Sequence, residues 1–209
     1  MTMHIEELPA SGPVIAVIQV ERLEHAVPLA EALVAGGLRV LEVTLRTPVA
    51  MPAMRAMARA VPQAIVGAGT LRDPMDAARV RDFGAQFAAS PGYTATLGEA
   101  CRRVGLPLLP GVASPGEVMR AQGDGFGFQK LFPAAVVGGL AMLRALAGPF
   151  PEVSFCPTGG VTLANAAEYL ALPNVRCVGG SWVVPAQALA AQDWDQITAL
   201  AAQAVALRA

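Results

Sequence analysis

The feature that most restricts the fold of this chain is a regular alternation. Eight short apolar runs, at 14–18, 40–44, 64–67, 86–89, 106–109, 127–131, 153–156 and 175–178, are each followed by a longer stretch of helical period. Those stretches fall at 24–35, 50–60, 74–83, 96–104, 115–121, 137–147, 163–171 and 186–207. Runs of four or five residues rich in Val, Ile and Leu read as buried strands, and the longer amphipathic stretches read as helices. Strands that each return through a helix pair in parallel with right-handed crossovers. Eight such units in 209 residues match a single-domain α/β (β/α)8 TIM barrel near the lower size limit of that architecture, with an open doubly wound sheet as the alternative. No linker or low-complexity segment divides the chain, so residues 1–209 are expected to form one domain with a short extension before the first strand at about 14.

Gly and Pro punctuate the carboxyl ends of the strands. Gly67-Ala68-Gly69-Thr70, Ser90-Pro91-Gly92, Pro110-Gly111, Phe132-Pro133, Pro157-Thr158-Gly159-Gly160 and Gly179-Gly180-Ser181 all follow an apolar run directly. In a barrel of this type that face carries the active site, so polar residues at those ends are the first candidates for chemistry.

Composition narrows the chemistry further. Lys and Arg total 15 against 16 Asp and Glu, a net charge of −1 with no basic stripe, which argues against nucleic acid as a partner. Hydrophobic content is 54%, but the longest charge-free runs, 83–98 and 177–192, are too short to span a bilayer and contain Gly and Pro, so no membrane role is expected. The first residues, with His4, Glu6, Glu7 and Pro9, lack the basic and apolar pattern of an export signal. Cys101, Cys156 and Cys177 are odd in number and form no Cys-x-x-Cys, so a reducing cytoplasm is expected rather than a disulfide framework. Excess apolar surface points to an oligomer. With only His4 and His25 there is no imidazole cluster for zinc, and neither a dinucleotide fingerprint nor a Walker loop is present, so neither metal nor cofactor is expected.

Of the basic residues only Lys130 is a lysine. It lies in the sixth run, where a period of two puts Phe128, Lys130 and Phe132 on one face and Gln129 and Leu131 on the other. Desolvation between aromatic rings favours a neutral amine, which can attack a carbonyl and form an imine where a guanidinium cannot. In the second run Val40, Glu42 and Thr44 share a face opposite Leu41 and Val43. In a barrel wrapped by helices the polar set points inward, where Glu42 is either a general acid/base or the ion-pair partner of Lys130 or Arg46, two readings that coexist. Arg46, just past that strand, suits a substrate carboxylate, the alternative being a surface arginine paired with an acid. Thr70 follows two glycines whose missing side chains let a ligand approach the backbone. Gly159-Gly160 and Gly179-Gly180 follow the last two strands, between which barrels of this kind bind phosphate. The alternative for each glycine pair is a tight turn that needs positive φ.

Together, Glu42-Val43-Thr44-Leu45-Arg46-Thr47, Gly67-Ala68-Gly69-Thr70, Ser90-Pro91-Gly92, Pro110-Gly111-Val112, Lys130-Leu131-Phe132-Pro133-Ala134, Phe155-Cys156-Pro157-Thr158-Gly159-Gly160 and Gly179-Gly180-Ser181-Trp182 resemble the 2-dehydro-3-deoxy-6-phosphogluconate (KDPG) aldolase and 4-hydroxy-2-oxoglutarate aldolase family. The likeness runs in order from about Val14 to the carboxyl end. It implies a class I, Schiff-base aldolase on a (β/α)8 barrel, a cytoplasmic homotrimer of the Entner-Doudoroff pathway with no cofactor. KDPG is cleaved to pyruvate and glyceraldehyde 3-phosphate, and 4-hydroxy-2-oxoglutarate to pyruvate and glyoxylate. By the same resemblance Lys130 is the imine-forming nucleophile and Glu42 the general acid/base, with Arg46 and Thr70 near the carboxylate and Pro91 and Phe132 against the substrate. Thr158 meets the hydroxylated chain, and Gly159, Gly160, Gly179, Gly180 and Ser181 surround the phosphate. One departure is Ala135, where many relatives carry an acid. Two rivals are the 6-phosphogalactonate homologue, against which Thr158 argues, and a phosphosugar epimerase or isomerase using Glu42 without a covalent step. A noncatalytic phosphate-binding barrel is a third.

Overall fold

The computed structural model describes residues 4–207; residues 1–3 and 208–209 of the expected 1–209 domain lie outside them. The parallel strands are β1 (Val14–Ile18), β2 (Val40–Thr44), β3 (Ile65–Gly69), β4 (Phe87–Ala89), β5 (Leu108–Leu109), β6 (Gly111–Val112), β7 (Phe128–Leu131), β8 (Ser154–Phe155) and β9 (Val178–Gly180). The helices are α1 (Ala26–Ala35), α2 (Ala50–Ala60), α3 (Asp76–Asp82), α4 (Ala95–Arg103), α5 (Pro115–Gly123), α6 (Gly139–Ala147), α7 (Leu163–Leu170), α8 (Ala186–Ala191) and α9 (Trp194–Val205).

Six strands run in the order β5-β4-β3-β2-β1-β9 and three in the order β6-β7-β8. The two pieces form one ring. β5 and β6 are consecutive halves of a single strand, because Pro110 between them has no N–H to continue the ladder. The Pro110 carbonyl still accepts from Lys130 N at 2.8 Å, which hands the pairing from β4 to β7. On the far side, bridges Phe155 to Val175 and Thr158 to Gly179 join β8 to the β9 segment. Eight physical strands thus make the (β/α)8 barrel that the alternation implies.

The expected segments are corrected in three places. The fifth strand reaches Val112 rather than ending at 109. The last strand is displaced toward Gly180, with Val175 held only by an isolated bridge. The stretch 186–207, expected as one helix, is two: Gln192 adopts φ +55°, and the Asp193 carboxylate accepts from Gln196 N at 2.9 Å, capping a new helix. That break lets α9 lie against α1, where Gly36 leaves no room for a Cβ beside Ala201 and Thr198 Oγ1 donates to Ala32 O at 3.0 Å.

Alternation sorts the strand side chains into two cores. Val14, Ala16, Ile18, Leu41, Val43 and Leu131 face outward onto the helices. Ile15, Val40, Phe87, Leu109, Phe128, Cys156 and Cys177 fill the barrel, and Ile5 and Leu8 of a 3-10 turn (Ile5–Ser11) join that cluster from the amino-terminal side. Each fully buried Phe or Ile stabilises the fold by about 1.5–3 kcal/mol. The plug also shuts water out from below, so that the opposite, carboxyl-terminal mouth is the way in.

Candidate active site

One layer above the plug, the inner faces of β2 and β7 bring together Glu42 and Lys130, 88 residues apart in sequence. Lys130 Nζ donates to Glu42 Oε1 at 2.8 Å and to Oε2 at 3.1 Å. Both residues are almost wholly buried, at 4% and 2% exposure, and among the described residues each is the other's one ion-pair partner. The face assignments made from the sequence hold: Phe128 lies below Lys130, and the Phe132 ring centroid is 5.5 Å from Nζ. Gln129 turns outward and donates to Phe126 O at 2.8 Å. Gly69 explains how the carboxylate fits, since a Cβ there would stand 2.5 Å from Glu42 Oε1 and 2.6 Å from its Cγ.

Above the pair opens a cavity of about 610 Å3. Its walls include Arg46, Phe132, Thr158, Gly159, Gly160, Gly179 and Ser181, all singled out from the sequence. Thr44 and Phe132 line it, each two residues beyond the buried pair on the same strand face, so Glu42 and Lys130 lie one step deeper on those faces. Arg46 is exposed at the rim and has no ion-pair partner among the described residues. Its loop is pinned by two threonines: Thr44 Oγ1 donates to Ile18 O at 2.9 Å and Thr47 Oγ1 to Val20 O at 2.6 Å.

On the opposite wall Gly159 and Gly160 have φ of +94° and +80°, a turn that L side chains resist. The parallel bridge between Thr158 and Gly179 engages the Gly159 amide, while the Gly160 N–H has no acceptor among the described residues and is a donor for an anion. The turn and ligand readings of that glycine pair therefore coexist. Gly179 is the neighbour of Thr158: a Cβ on it would collide with Thr158 Oγ1. Thr158 itself is buried, with Oγ1 3.4 Å from Cys156 O.

Besides the buried pair, three expected residues stand apart from the cavity lining. Gly180 is glycine because the Trp182 ring folds over it. Pro91 packs against Gly111, whose register partner is Lys130, so it sits one strand away from the amine. Thr70, at φ +60°, follows Gly69 directly. Conversely, Gln19 and Glu21 line the cavity but were passed over in the sequence, and Ala135, noted there only as a departure from the family pattern, is a wall residue. The only signal for the first two was position, as polar residues just past the first strand.

Among the described residues no group of three or more His, Cys, Asp or Glu is placed to hold a metal ion. No helix of these residues is long and apolar enough to cross a membrane. Among the described residues the site therefore offers a buried amine against a carboxylate, a guanidinium without an ion-pair partner and a free amide at Gly160.

Comparison with known proteins gives the same constellation a family. A model of the KDPG and KHG aldolase family matches residues 5–200. The chain is 54% identical over 200 residues to the KHG/KDPG aldolase of Escherichia coli (strain K12), covering 96% of this chain and 94% of that one. It is 45% identical over 204 residues to the 2-dehydro-3-deoxy-phosphogluconate aldolase of Pseudomonas aeruginosa, covering 98% and 93%. The crystal structure of KDPG aldolase from Legionella pneumophila, with pyruvate captured at low pH as a covalent carbinolamine intermediate, has a TM-score of 0.95 at 48% identity, covering 98% of this chain and 100% of that one. The chain belongs to the KDPG and KHG aldolase family.

Proposed function

We propose that this chain is a class I aldolase that reversibly cleaves KDPG to pyruvate and glyceraldehyde 3-phosphate. The observation that carries this reading is the two-pronged contact between Lys130 Nζ and the Glu42 carboxylate beneath an open cavity. An amine in that position attacks the C2 ketone of the substrate to give a carbinolamine, and loss of water gives a protonated imine. Glu42, within hydrogen-bond reach of the reacting nitrogen, accepts the C4 hydroxyl proton. The electrons of the C3–C4 bond then flow into the imine, the aldehyde departs and an enamine of pyruvate remains. Glu42 returns its proton to C3, and water hydrolyses the imine to release pyruvate and free Lys130. One water is lost and one regained, so the cycle balances.

The other residues divide the substrate between them in this reading. Arg46 and Thr70 hold the carboxylate, Phe132 and Pro91 pack on the carbon chain and Thr158 meets the C4 hydroxyl. The amide of Gly160, with Gly159, Gly179, Gly180 and Ser181, receives the phosphate. Cleavage of 4-hydroxy-2-oxoglutarate to pyruvate and glyoxylate is a second activity of the same site, supported by relatives named KHG/KDPG aldolase. The Thr158 hydroxyl on the cavity wall favours the gluconate over the galactonate epimer. Place in the Entner-Doudoroff pathway, a homotrimer and a cytoplasmic setting complete the proposal; the three unpaired, buried thiols suit a reducing compartment.

The test is pyruvate release, followed with lactate dehydrogenase, from KDPG and from its C4 epimer. KDPG is expected to turn over faster, and Lys130→Arg to abolish turnover with an unchanged circular dichroism spectrum. Retained activity in Lys130→Arg would overturn the assignment.

A further inference from the structure

Two polar side chains at the cavity mouth, Gln19 and Glu21, have no part in the chemistry above. Alternation along β1 sends Val14, Ala16 and Ile18 outward and Ile15 inward, so Val17 and Gln19 continue the inner face. Val17 is the register partner of Glu42, and Ala16 that of Gly180. Gln19 therefore stands one layer above Glu42, about 6.6 Å along the strand. It occupies the wall between Arg46 on one side and Ser181 on the other.

The amide is held. Gln19 Nε2 donates to Glu21 Oε1 at 2.6 Å, which turns the nitrogen toward the carboxylate. Its carbonyl oxygen and second N–H have no partner among the described residues. A side-chain amide oriented in this way offers one acceptor and one donor, the complement of a hydroxyl.

The substrate reading above, on which this inference rests, places C2 on Lys130 and the C4 hydroxyl at Glu42. The phosphate on C6 lies at the glycine pair near the mouth. The carbon between them, C5, passes the layer where Gln19 stands. We propose that Gln19, braced by Glu21, hydrogen-bonds the C5 hydroxyl and so selects aldehydes hydroxylated next to the reacting carbon. This is a specificity contact on the aldehyde half of the substrate, separate from the imine chemistry.

The experiment runs the reaction in the direction of synthesis. Pyruvate is condensed with D-glyceraldehyde 3-phosphate or with 3-oxopropyl phosphate, which has the same length and charge but lacks the hydroxyl. One retained hydrogen bond makes wild type prefer the hydroxylated aldehyde by about tenfold in kcat/KM. Gln19→Leu is expected to bring that ratio near one by losing rate on glyceraldehyde 3-phosphate alone, and Glu21→Ala to give an intermediate ratio. An unchanged ratio in Gln19→Leu, or an equal fall on both aldehydes, overturns the proposal. Borohydride trapping with pyruvate is run on each protein alongside. No lysyl adduct in wild type would mean that the aldolase reading has failed, whereas a normal adduct with an unchanged ratio removes Gln19 alone.

Discussion

Gly69→Ala isolates the placement of Glu42 from every other property of the site. Gly69 closes β3, its φ is not positive, and the strand itself accepts alanine. The obstacle is the carboxylate side chain, since the new Cβ would lie 2.5 Å from Glu42 Oε1, 2.6 Å from Cγ and 3.0 Å from Cδ. Ordinary contacts begin at 3.4 Å, and a contact with Cγ cannot be relieved by swinging only the far end of the chain. Glu42 must therefore move by about 1 Å, which disrupts the bonds of 2.8 and 3.1 Å to Lys130 Nζ. A misplacement of about 1 Å in a catalytic constellation costs on the order of a hundredfold in rate. Overpacking adds about 1–3 kcal/mol of destabilisation, a fall in Tm of roughly 2–12 °C for a chain of this size. Steady-state kcat, calorimetric Tm and borohydride trapping of pyruvate together read the effect. The expected pattern is a kcat lower by about a hundredfold, a Tm lower by several degrees and persistent trapping, because Lys130 is untouched. A wild-type kcat would refute the claim that the position of Glu42 governs cleavage.

Other substitutions probe neighbouring links. Lys130→Met leaves Glu42 buried without a cation and should destabilise the fold by about 3–5 kcal/mol, most of which Glu42→Leu in the same chain should restore; denaturant melts compare the two. Gly179→Ala pushes on Thr158 Oγ1 and should narrow the preference for KDPG over its C4 epimer, with an unchanged preference counting against Thr158 as the reader of that centre. Burial pushes the Cys101 thiol from 9.0 up to about 11, and burial followed by the hydrogen bond to Asp124 pushes Tyr93 from 10.0 up to about 12. Both groups ionise first in the unfolded chain, which then binds fewer protons, so stability should fall as pH rises from about 9 to about 12. Cys101→Ala should flatten the first part of that decline in Tm.

Much of this architecture was legible because strand periodicity carries side-chain direction. Val40-Leu41-Glu42-Val43-Thr44 and Phe128-Gln129-Lys130-Leu131-Phe132 each declare an inner and an outer face, and the structure keeps both. Ring closure, which no local pattern encodes, is what sets Glu42 against Lys130. Pro110 marked a loop in sequence, yet it interrupts a strand that resumes at Gly111, since parallel pairing can switch partner where one N–H is missing. The break at Gln192 was hidden in an Ala-rich run without Gly or Pro, and Asp193, whose carboxylate caps the new helix, is matched there by a second Asp two residues on, so residue type alone did not mark the boundary. Gln19 and Glu21 stayed silent because their importance comes from lying between β2 and β9, a neighbourhood known only once the barrel closes.

Imine formation falls to Lys130 in this mechanism, and as the only lysine of the chain it makes the decisive measurement simple. The protein is incubated with pyruvate, reduced with borohydride and mapped by peptide mass spectrometry. N-carboxyethyl-lysine is expected at Lys130 in wild type and in Glu42→Gln, and is expected to be absent from Lys130→Arg. An unmodified Lys130 in protein that still cleaves KDPG, or an adduct confined to the amino terminus, would contradict that role for Lys130.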